Sequence, residues 1–299
     1  MRARTCVGAL IGIAVAASIS SAFAAQLLPE MASPGVSERV LIIAPHPDDE
    51  SLCCAGLIRR TLKDGGNVAI VWITSGDAFE LDAMVVERTL RPRAAGLERL
   101  AVMRMNEARA AASRLGVSVS GQFFLGYPDR GLRQLLAQKV LVFRSRYTGA
   151  DRVPYDDTVA QGSAYTGSNL ERDLNSVMAK FKPTLVFAPG TADVHPDHRA
   201  TSELVMRVLS KLQRLGTARF WVVHGGEGWP VPSGLRRKLR QTPPPVALLA
   251  PWQRLTLTTD EQDAKLAAIR LHRSQLEVMG KKMLSFVRQD ELYVLEPMR

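Results

Sequence analysis

The sequence predicts an α/β fold that is Rossmann-like, with a mostly parallel, doubly wound sheet and helices on both faces. The first observation is that short apolar runs alternate with amphipathic segments along most of the chain. The second is that runs such as 40–44 and 68–74 are continuously apolar, as in strands buried on both faces of a parallel sheet. The composition agrees, because 46% apolar and 23% charged residues in 299 are ordinary for one sizeable globular domain.

The first residues predict a signal peptide that does not belong to the fold. Arg2 and Arg4 precede an apolar stretch over 7–19, and residues 22–24 fit a small-x-small cleavage site. We therefore expect an exported, periplasmic protein with no integral membrane domain after cleavage. The alternative is a chain anchored by an uncleaved segment, since the apolar stretch approaches a spanning length. The expected divisions are a signal peptide over 1–24, a linker over 25–38 and one domain over 39–299.

The first half of the domain predicts a strand–helix–strand unit and a longer helix. A strand over 40–44 leads into a helix over 49–63, which has apolar residues at helical spacing and stops at a Gly-Gly pair. A strand over 68–74 follows, and an amphipathic helix over 97–115 ends before a glycine. The remaining expectations are a loop or short helix over 79–96, a strand over 123–125 and a weakly periodic helix over 131–146.

The second half continues the alternation around two irregular stretches. Residues 152–167 are rich in Tyr, Asp, Gly and Thr, which predicts an ordered surface loop. Residues 225–251 hold six of the seventeen prolines, so regular structure is excluded over most of them. The predicted elements are a helix over 169–181 capped by Ser168, strands over 184–188, 220–224 and 255–257, a helix over 198–215, and one helix over 260–279 capped by Thr258 or Thr259.

Two short motifs contain three of the five histidines, and each closely follows a predicted strand. The first is HPDDE at 46–50 and the second is HPDH at 195–198. The first motif alone fits two interpretations: its acids cap a helix by accepting free N–H groups, or they bind a metal. The second motif favours the metal, because the carboxyl ends of parallel strands meet at one edge of a sheet, where ligands bind.

The residue types in these motifs match a catalytic zinc site. His46 and Asp49 come within reach of one ion across a turn fixed by Pro47, which disfavours helical geometry at His46. His195 or His198 would supply a third ligand. Two imidazoles, one carboxylate and an open position are the ligand set of a catalytic zinc.

Cysteine usage and charge give weaker expectations. Cys53 and Cys54 are predicted to be unpaired, buried and hydrophobic in role, since neighbouring cysteines rarely pair. The formal net charge of +10 is compatible with anionic partners such as an acidic glycan or glycolipid, although generic solubility is the favoured explanation. We expect no nucleic acid partner. The absence of a Gly-rich loop after the first strand counts against a dinucleotide.

The order of these motifs resembles the PIG-L/LmbE-like family of zinc-dependent N-acetylglucosaminyl deacetylases. The likeness rests on APHPDDESL over 44–52 and on the later HPDH. Further similar segments are Thr74-Ser75-Gly76-Asp77, with Ser where the family has Asn, Arg104-x-x-Glu-Ala, Leu-Gly-x-x-Asp129 and His272-x-x-Gln275. The resemblance covers roughly 39–297 and leaves 225–251 unexplained.

The resemblance implies roles for particular residues. His46, Asp49 and His198 would hold Zn²⁺ or another divalent metal. Asp48 would be the general base for the attacking water, and His195, in its charged form, would hold the oxyanion. Asp48 or His195 would protonate the departing amine.

The remaining polar residues have two interpretations each. Arg104 and Asp129 would contact the sugar, or else form a structural ion pair. His272 would be either a core residue or part of the site. His224 is interpreted as structural and Glu50 as a helix-start carboxylate.

The resemblance further implies hydrolysis of the acetyl group from an N-acetylglucosamine-type amino sugar. The signal peptide favours an exported or envelope glycan or glycoconjugate as the substrate. One alternative is a zinc amidohydrolase that acts on another N-acyl bond. A second is a sugar-binding module without catalysis.

Overall fold

A five-stranded parallel sheet forms the centre of the computed structural model, which describes residues 28–295. The order of its strands is β3-β2-β1-β4-β5, and all four neighbouring pairs are parallel. Each residue from Val40 to Ala44 is at most 1% exposed, because neighbouring strands and covering helices enclose this central strand. The strands are β1 Arg39–Ala44, β2 Asn67–Thr74, β3 Gln122–Tyr127, β4 Leu185–Pro189 and β5 Ala218–Trp221.

Helices cover both faces of the sheet, as the sequence predicts. They are α1 Asp49–Lys63, α2 Glu80–Val86, α3 Ala94–Leu115, α4 Leu132–Ala137, α5 Gly167–Phe181, α6 Pro196–Lys211, α7 Thr259–Ile269 and α8 Arg273–Leu284. The helices α1, α3 and α7 contact one another, and α4, α5 and α6 form a second contacting group. The α/β prediction is therefore confirmed.

Several helix boundaries differ from the predictions. The helix expected over 131–146 ends at Ala137, because Val140, Leu141 and Val142 are mostly exposed and give it no face to bury. The N-cap of α5 is Thr166, whose hydroxyl accepts the N–H of Asn169 at 3.1 Å, so the prediction of Ser168 is wrong. The helix α6 starts at Pro196 and ends at Lys211.

The single helix expected over 260–279 is divided into α7 and α8. Thr258 caps α7 in a capping box with Glu261, which confirms one of the two expected caps. The division falls at 270–272, where His272 is fully buried and faces the start of α1. A continuous helix would not present this imidazole to α1, so a tertiary contact overrides the local helical pattern.

The prediction of two unpaired cysteines is wrong. Cys53 and Cys54 form a disulfide within α1, while their predicted burial is confirmed. The next turn of α1 contacts β7, since Glu291 accepts the N–H groups of Gly56 and Leu57, each at 2.9 Å. Lys265 is buried against the same carboxylate at 2.8 Å.

A second, antiparallel sheet of β6 Gln253–Thr256 and β7 Asp290–Tyr293 extends the fold. The described part of the expected linker packs here, because Met31 donates its N–H to Arg254 and is buried. The predicted signal peptide over 1–24 lies outside the described residues. Within 28–295, no helix is long and apolar enough to cross a membrane.

The Pro-rich stretch 225–251 is irregular, as predicted, with one short 3-10 turn at Pro245–Ala247. Gly234 donates its N–H to the carbonyl of Lys281, and Arg240 pairs with Asp290 at 3.0 Å. These contacts hold the stretch against the C-terminal end of α8 and the start of β7.

Candidate metal centre and active site

The carboxyl ends of the five parallel strands bring the predicted site residues together. The strand order reverses between β1 and β4, and a crevice opens beyond such a point in a doubly wound sheet. The polar residues beyond the strand ends are His46, Asp48 and Asp49 after β1, Asp77 after β2, Asp129 after β3, Asp193, His195 and His198 after β4, and His224 after β5.

Three ligand atoms form a nearly equilateral triangle beside this reversal. His198 Nε2 lies 3.3 Å from Asp49 Oδ2 and 3.3 Å from His46 Nδ1, and the third side, His46 Nδ1 to Asp49 Oδ2, is 3.5 Å. Ligands at about 2.0–2.1 Å from a tetrahedral zinc lie about 3.3–3.4 Å apart. The three side chains therefore match the spacing that such an ion requires.

Two carboxylates orient the imidazoles of this triangle. Asp193 Oδ2 lies 3.0 Å from His198 Nδ1, and Asp129 Oδ1 lies 3.2 Å from His46 Nε2. A carboxylate beside one ring nitrogen favours the proton there, so the other nitrogen is left as a lone pair. Two lone pairs and the carboxylate of Asp49 then face one point, an arrangement that a cation stabilises.

The electrostatics of the triangle also indicate a site for positive charge. Burial opposes the charging of His198, yet Asp193 and Asp49 raise its pKa to about 9. Burial likewise opposes the ionisation of Asp49, yet His198 and His46 hold the pKa of its carboxyl well below the usual range. The surroundings therefore favour added positive charge despite the burial.

Other sets of possible ligands overlap this triangle, and they include Asp193, His224, Asp129, Asp197 and His195. Two of these carboxylates accept hydrogen bonds from backbone N–H groups. Asp193 accepts the N–H groups of His195, Val223 and His224 at 2.9–3.0 Å. Asp197 accepts those of Arg130 and Leu132 at 2.5 and 3.3 Å. Both carboxylates therefore anchor loops of the site.

Asp48 lies beside the triangle in a strained backbone conformation, with φ at 146°. Gln275 Nε2 donates to its Oδ2 atom, and the residue borders the cavity described below. Burial raises the pKa of Asp48 to about 6, and the neighbouring charge of Asp49 adds to the rise. The carboxyl therefore has a pKa suited to proton transfer near neutral pH.

His195 is held in one tautomer by the helix that follows it. Its Nδ1 accepts the backbone N–H of Asp197 at 3.2 Å, so the ring proton of the neutral form is on Nε2. Burial and the neighbouring imidazoles lower the pKa of His195 to about 2. The lowered pKa favours the neutral ring, an N–H donor, over the charged form expected from the sequence.

The two predicted sugar contacts both border the cavity, and each also has a structural partner. Arg104 donates to the carbonyls of Gly76 and Pro47 at 2.9 and 3.2 Å, which joins the loops after β2 and β1. A Cβ on Gly76 would lie 2.2 Å from this guanidinium and would displace it, and the φ of 69° also favours glycine there. Asp129 receives the N–H of Ala78 at 3.4 Å while it contacts His46.

Sequence reasoning missed the place of His224 in this site. Its Nδ1 is 3.3 Å from Asp193 Oδ1, and its ring centroid is 4.5 Å from that of His198. It borders the cavity beside His195 instead of serving only the core. Its position at the end of a predicted strand was the signal that could have identified it.

The interpretations of His272 and Glu50 are refined by their contacts. His272 is fully buried, and its Nε2 lies 3.1 Å from Glu50 Oε1 and 3.0 Å from Ser51 Oγ. Glu50 Oε2 accepts the N–H of Asp48 at 3.1 Å and the indole N–H of Trp72 at 2.8 Å. Both residues therefore support the first motif from beneath and do not line the cavity.

A cavity of about 230 Å³ opens above these residues. Its polar floor includes Asp48, Asp49, His46 and His195, and its wall is partly apolar. Metal, base and hydrogen-bond donor positions therefore all face one cleft, which is the arrangement that hydrolysis of an amide requires.

Comparison with known proteins identifies the family. The model of the family described as GlcNAc-PI de-N-acetylase, PIG-L, matches residues 41–209. The chain belongs to the PIG-L family. It is therefore a deacetylase, a hydrolase of amide bonds.

Curated relatives agree with this assignment. A 1D-myo-inositol 2-acetamido-2-deoxy-alpha-D-glucopyranoside deacetylase of Mycobacterium sp. (strain KMS) is 25% identical over 288 residues, which cover 93% of this chain and 84% of that protein. A probable N-acetyl-alpha-D-glucosaminyl L-malate deacetylase 2 of Bacillus anthracis is 29% identical over 186 residues, 62% of this chain and 65% of that protein.

Solved structures show the same fold. The A40926 pseudoaglycone deacetylase Dbv21 has a TM-score of 0.56 at 20% identity, over 86% of this chain and 96% of that one. The N,N'-diacetylchitobiose deacetylase of Pyrococcus horikoshii has a TM-score of 0.51 at 21% identity, over 86% and 83%.

Proposed function

We propose that this deacetylase is zinc-dependent and removes the acetyl group from an N-acetylglucosamine-type amino sugar in an exported glycan or glycoconjugate. The observation that carries the metal dependence is the triangle of His46 Nδ1, Asp49 Oδ2 and His198 Nε2, with sides of 3.3–3.5 Å. The substrate class is supported by the relatives, whose named substrates share an N-acetylated glucosamine group.

His46, Asp49 and His198 would hold the ion, and Asp129 and Asp193 would fix the two imidazoles. A bound zinc would polarise the acetyl carbonyl and lower the pKa of water. Two nitrogen ligands and one oxygen ligand favour zinc over magnesium or calcium, which prefer oxygen alone.

Asp48 is the proton carrier in this proposal. Gln275 holds Oδ2 of its carboxylate, so Oδ1 is available to take a proton from the attacking water. The same carboxyl then gives the proton to the departing amine. His195 is less suited to this transfer, because burial lowers its pKa and its Nδ1 already accepts the N–H of Asp197.

His195 instead stabilises the negative charge that develops on the acetyl oxygen. The neutral ring has its proton on Nε2, since Nδ1 accepts the N–H of Asp197. A fixed donor in a water-poor site lowers the energy of the transition state without reorganisation. Asp129, which lines the cavity, would accept a sugar hydroxyl, while Arg104 keeps the loops after β1 and β2 in register.

The test is release of acetate from N-acetylglucosamine glycosides and from a panel of other N-acyl amides. We expect release from the sugars, loss of activity with a chelator and recovery when zinc is added. Asp48→Asn should lower kcat by about 10²–10⁴-fold, while Glu277→Gln, which changes an exposed acid, should not. Activity that resists the chelator, or a fully active Asp48→Asn variant, would contradict the proposal. Faster cleavage of the other amides would show that the substrate is another N-acyl compound and not an amino sugar.

A further inference from the structure

The mouth of the cavity differs in charge from its floor. Carboxylates, imidazoles and the buried Arg104, which is bonded to two backbone carbonyls, occupy the floor, whereas Arg130 and Lys282 border the cavity with exposed side chains. Between them the wall is apolar. It is formed by Leu52, Phe79, Val223, Met279, Met283 and Phe286.

Arg130 is held at the mouth by its own backbone. It adopts φ of 59°, and its N–H donates to Asp197, which fixes the residue directly after Asp129. Its guanidinium contacts the hydroxyl and ring of Tyr147, at 3.3 Å and 5.8 Å, and the carboxylates of Asp129 and Glu80 stabilise its charge from farther away. Among residues 28–295, no carboxylate lies within ion-pair distance of it.

Lys282 lies in the last turn of α8 and borders the same cavity as Arg130. Its ammonium forms neither an ion pair nor a side-chain hydrogen bond within the described part of the chain. A lysine in a last helical turn interacts favourably with the helix dipole, which would explain its neighbour Lys281 as well. Only Lys282 borders the cavity, however, so the dipole does not account for its position.

The size of the cavity limits what it encloses. At about 230 Å³ it is smaller than the roughly 300–1,000 Å³ of sites that bury a drug-sized ligand. It accommodates the reacting sugar, and the remainder of a larger substrate must leave through the mouth. The two unpaired cations stand where that remainder passes.

We infer that the substrate carries an anionic group, a phosphate or a carboxylate, next to the N-acetylated ring, and that Arg130 and Lys282 bind it. This inference rests on the proposed function and specifies its substrate class. A guanidinium fork and a mobile ammonium are both suited to oxyanions. The apolar wall would meanwhile cover the less polar face of the sugar, and the acetamido group would lie over the floor.

The test compares acetate release by the zinc-loaded chain from neutral and anionic substrates. The neutral substrate is the methyl glycoside of N-acetylglucosamine, and the anionic ones are N-acetylglucosamine 6-phosphate and N-acetylmuramic acid. We expect kcat/KM to be at least about tenfold higher for one anionic substrate, mainly through KM, with the advantage reduced by salt. The two anionic substrates distinguish phosphate from carboxylate recognition.

Lys282→Gln and Arg130→Gln should each lower the anionic-to-neutral ratio of kcat/KM by about tenfold. Lys63→Gln is the matched control, because Lys63 is an exposed lysine in the last turn of α1 and should leave the ratio unchanged. Equal hydrolysis of neutral and anionic substrates by the wild type would overturn the inference. An unchanged anionic-to-neutral ratio of kcat/KM in the double variant of Arg130→Gln and Lys282→Gln would also overturn the inference.

A binding measurement separates this inference from the proposed function. Calorimetry with glucosamine and glucosamine 6-phosphate reports on the mouth without any turnover. Tighter binding of the phosphate that is lost in Lys282→Gln supports the inference even if no acetylated sugar is hydrolysed. Equal binding of the two amino sugars, together with no carboxylate preference in hydrolysis, counts against it.

Discussion

Asp193→Asn tests the link between loop anchoring and metal binding most directly. The carboxylate is fully buried, and its Oδ2 accepts the N–H groups of Val223 and His224 while it faces His198 Nδ1. Its Oδ1 accepts the N–H of His195. An amide in either orientation places an NH₂ group against at least one of these backbone donors.

The size of the effect follows from this count. One buried N–H without an acceptor costs about 1–3 kcal/mol, and two cost about twice that, so the free energy of unfolding should fall by at least about 1 kcal/mol. Loss of a carboxylate behind a metal-binding histidine typically lowers metal affinity by about 10–100-fold. Both effects are expected in the same variant.

The assays are urea unfolding of the chelated protein and competition for zinc against a chromophoric chelator. Asp64→Asn is the control, because Asp64 is exposed and its stability change should stay within about 0.5 kcal/mol. A loss of stability with unchanged zinc affinity would show that Asp193 only anchors loops. It would refute the claim that Asp193 orients His198 for metal binding. An unchanged free energy of unfolding would contradict the three backbone hydrogen bonds assigned to Asp193.

Four further changes have defined outcomes. Glu291→Gln leaves the buried Lys265 without its charge partner, and denaturant unfolding should show a loss of about 3–5 kcal/mol, which pairing with Lys265→Met should reduce. Gly76→Ala places a Cβ 2.2 Å from a guanidinium at φ of 69°, so both melting temperature and kcat should fall, whereas Gly35→Ala, with no atom within 4 Å, should change neither. Burial raises the pKa of Asp82 to about 6, so its ionisation costs stability as the pH rises from about 4 through 6. The free energy of unfolding of Asp82→Asn, measured with denaturant, should therefore exceed that of the wild type by up to about 3 kcal/mol at pH 8 and by little at pH 4. An equal difference at the two pH values would contradict this. Protein recovered from the periplasm should begin near Ala25, and a chain that retains residues 1–24 in the membrane fraction would favour the anchored alternative.

Much of the fold follows from local sequence signals. Strand β1 is a bare apolar run because it is buried on both faces, and α1 occupies the predicted range 49–63 because its apolar spacing and glycine stop agree. The meeting of His46 and His198 also follows, since parallel strands deliver their carboxyl ends to one edge. Periodicity and topology therefore suffice for the frame of the site.

The rest depends on partners that are distant in the chain. Arg104 acts on two backbone carbonyls, and Asp193 on three backbone N–H groups, none of which leaves a residue pattern in the sequence. The break before α8 is set by the burial of His272 against Glu50, 222 positions away. Local propensity does not contain such contacts, so the sequence predicts a continuous helix and a structural role for His224.

The sharing of Glu50 Oε2 by two donors gives the protein an internal optical reporter. One donor is the backbone N–H of Asp48 and the other is the indole of Trp72, which stacks on Phe124 with ring centroids 4.3 Å apart. Because the indole is fully buried, its emission depends on this hydrogen bond more than on solvent. If zinc binding moves Asp48, tryptophan fluorescence should therefore change without any added probe. Trp72→Phe should abolish that part of the signal.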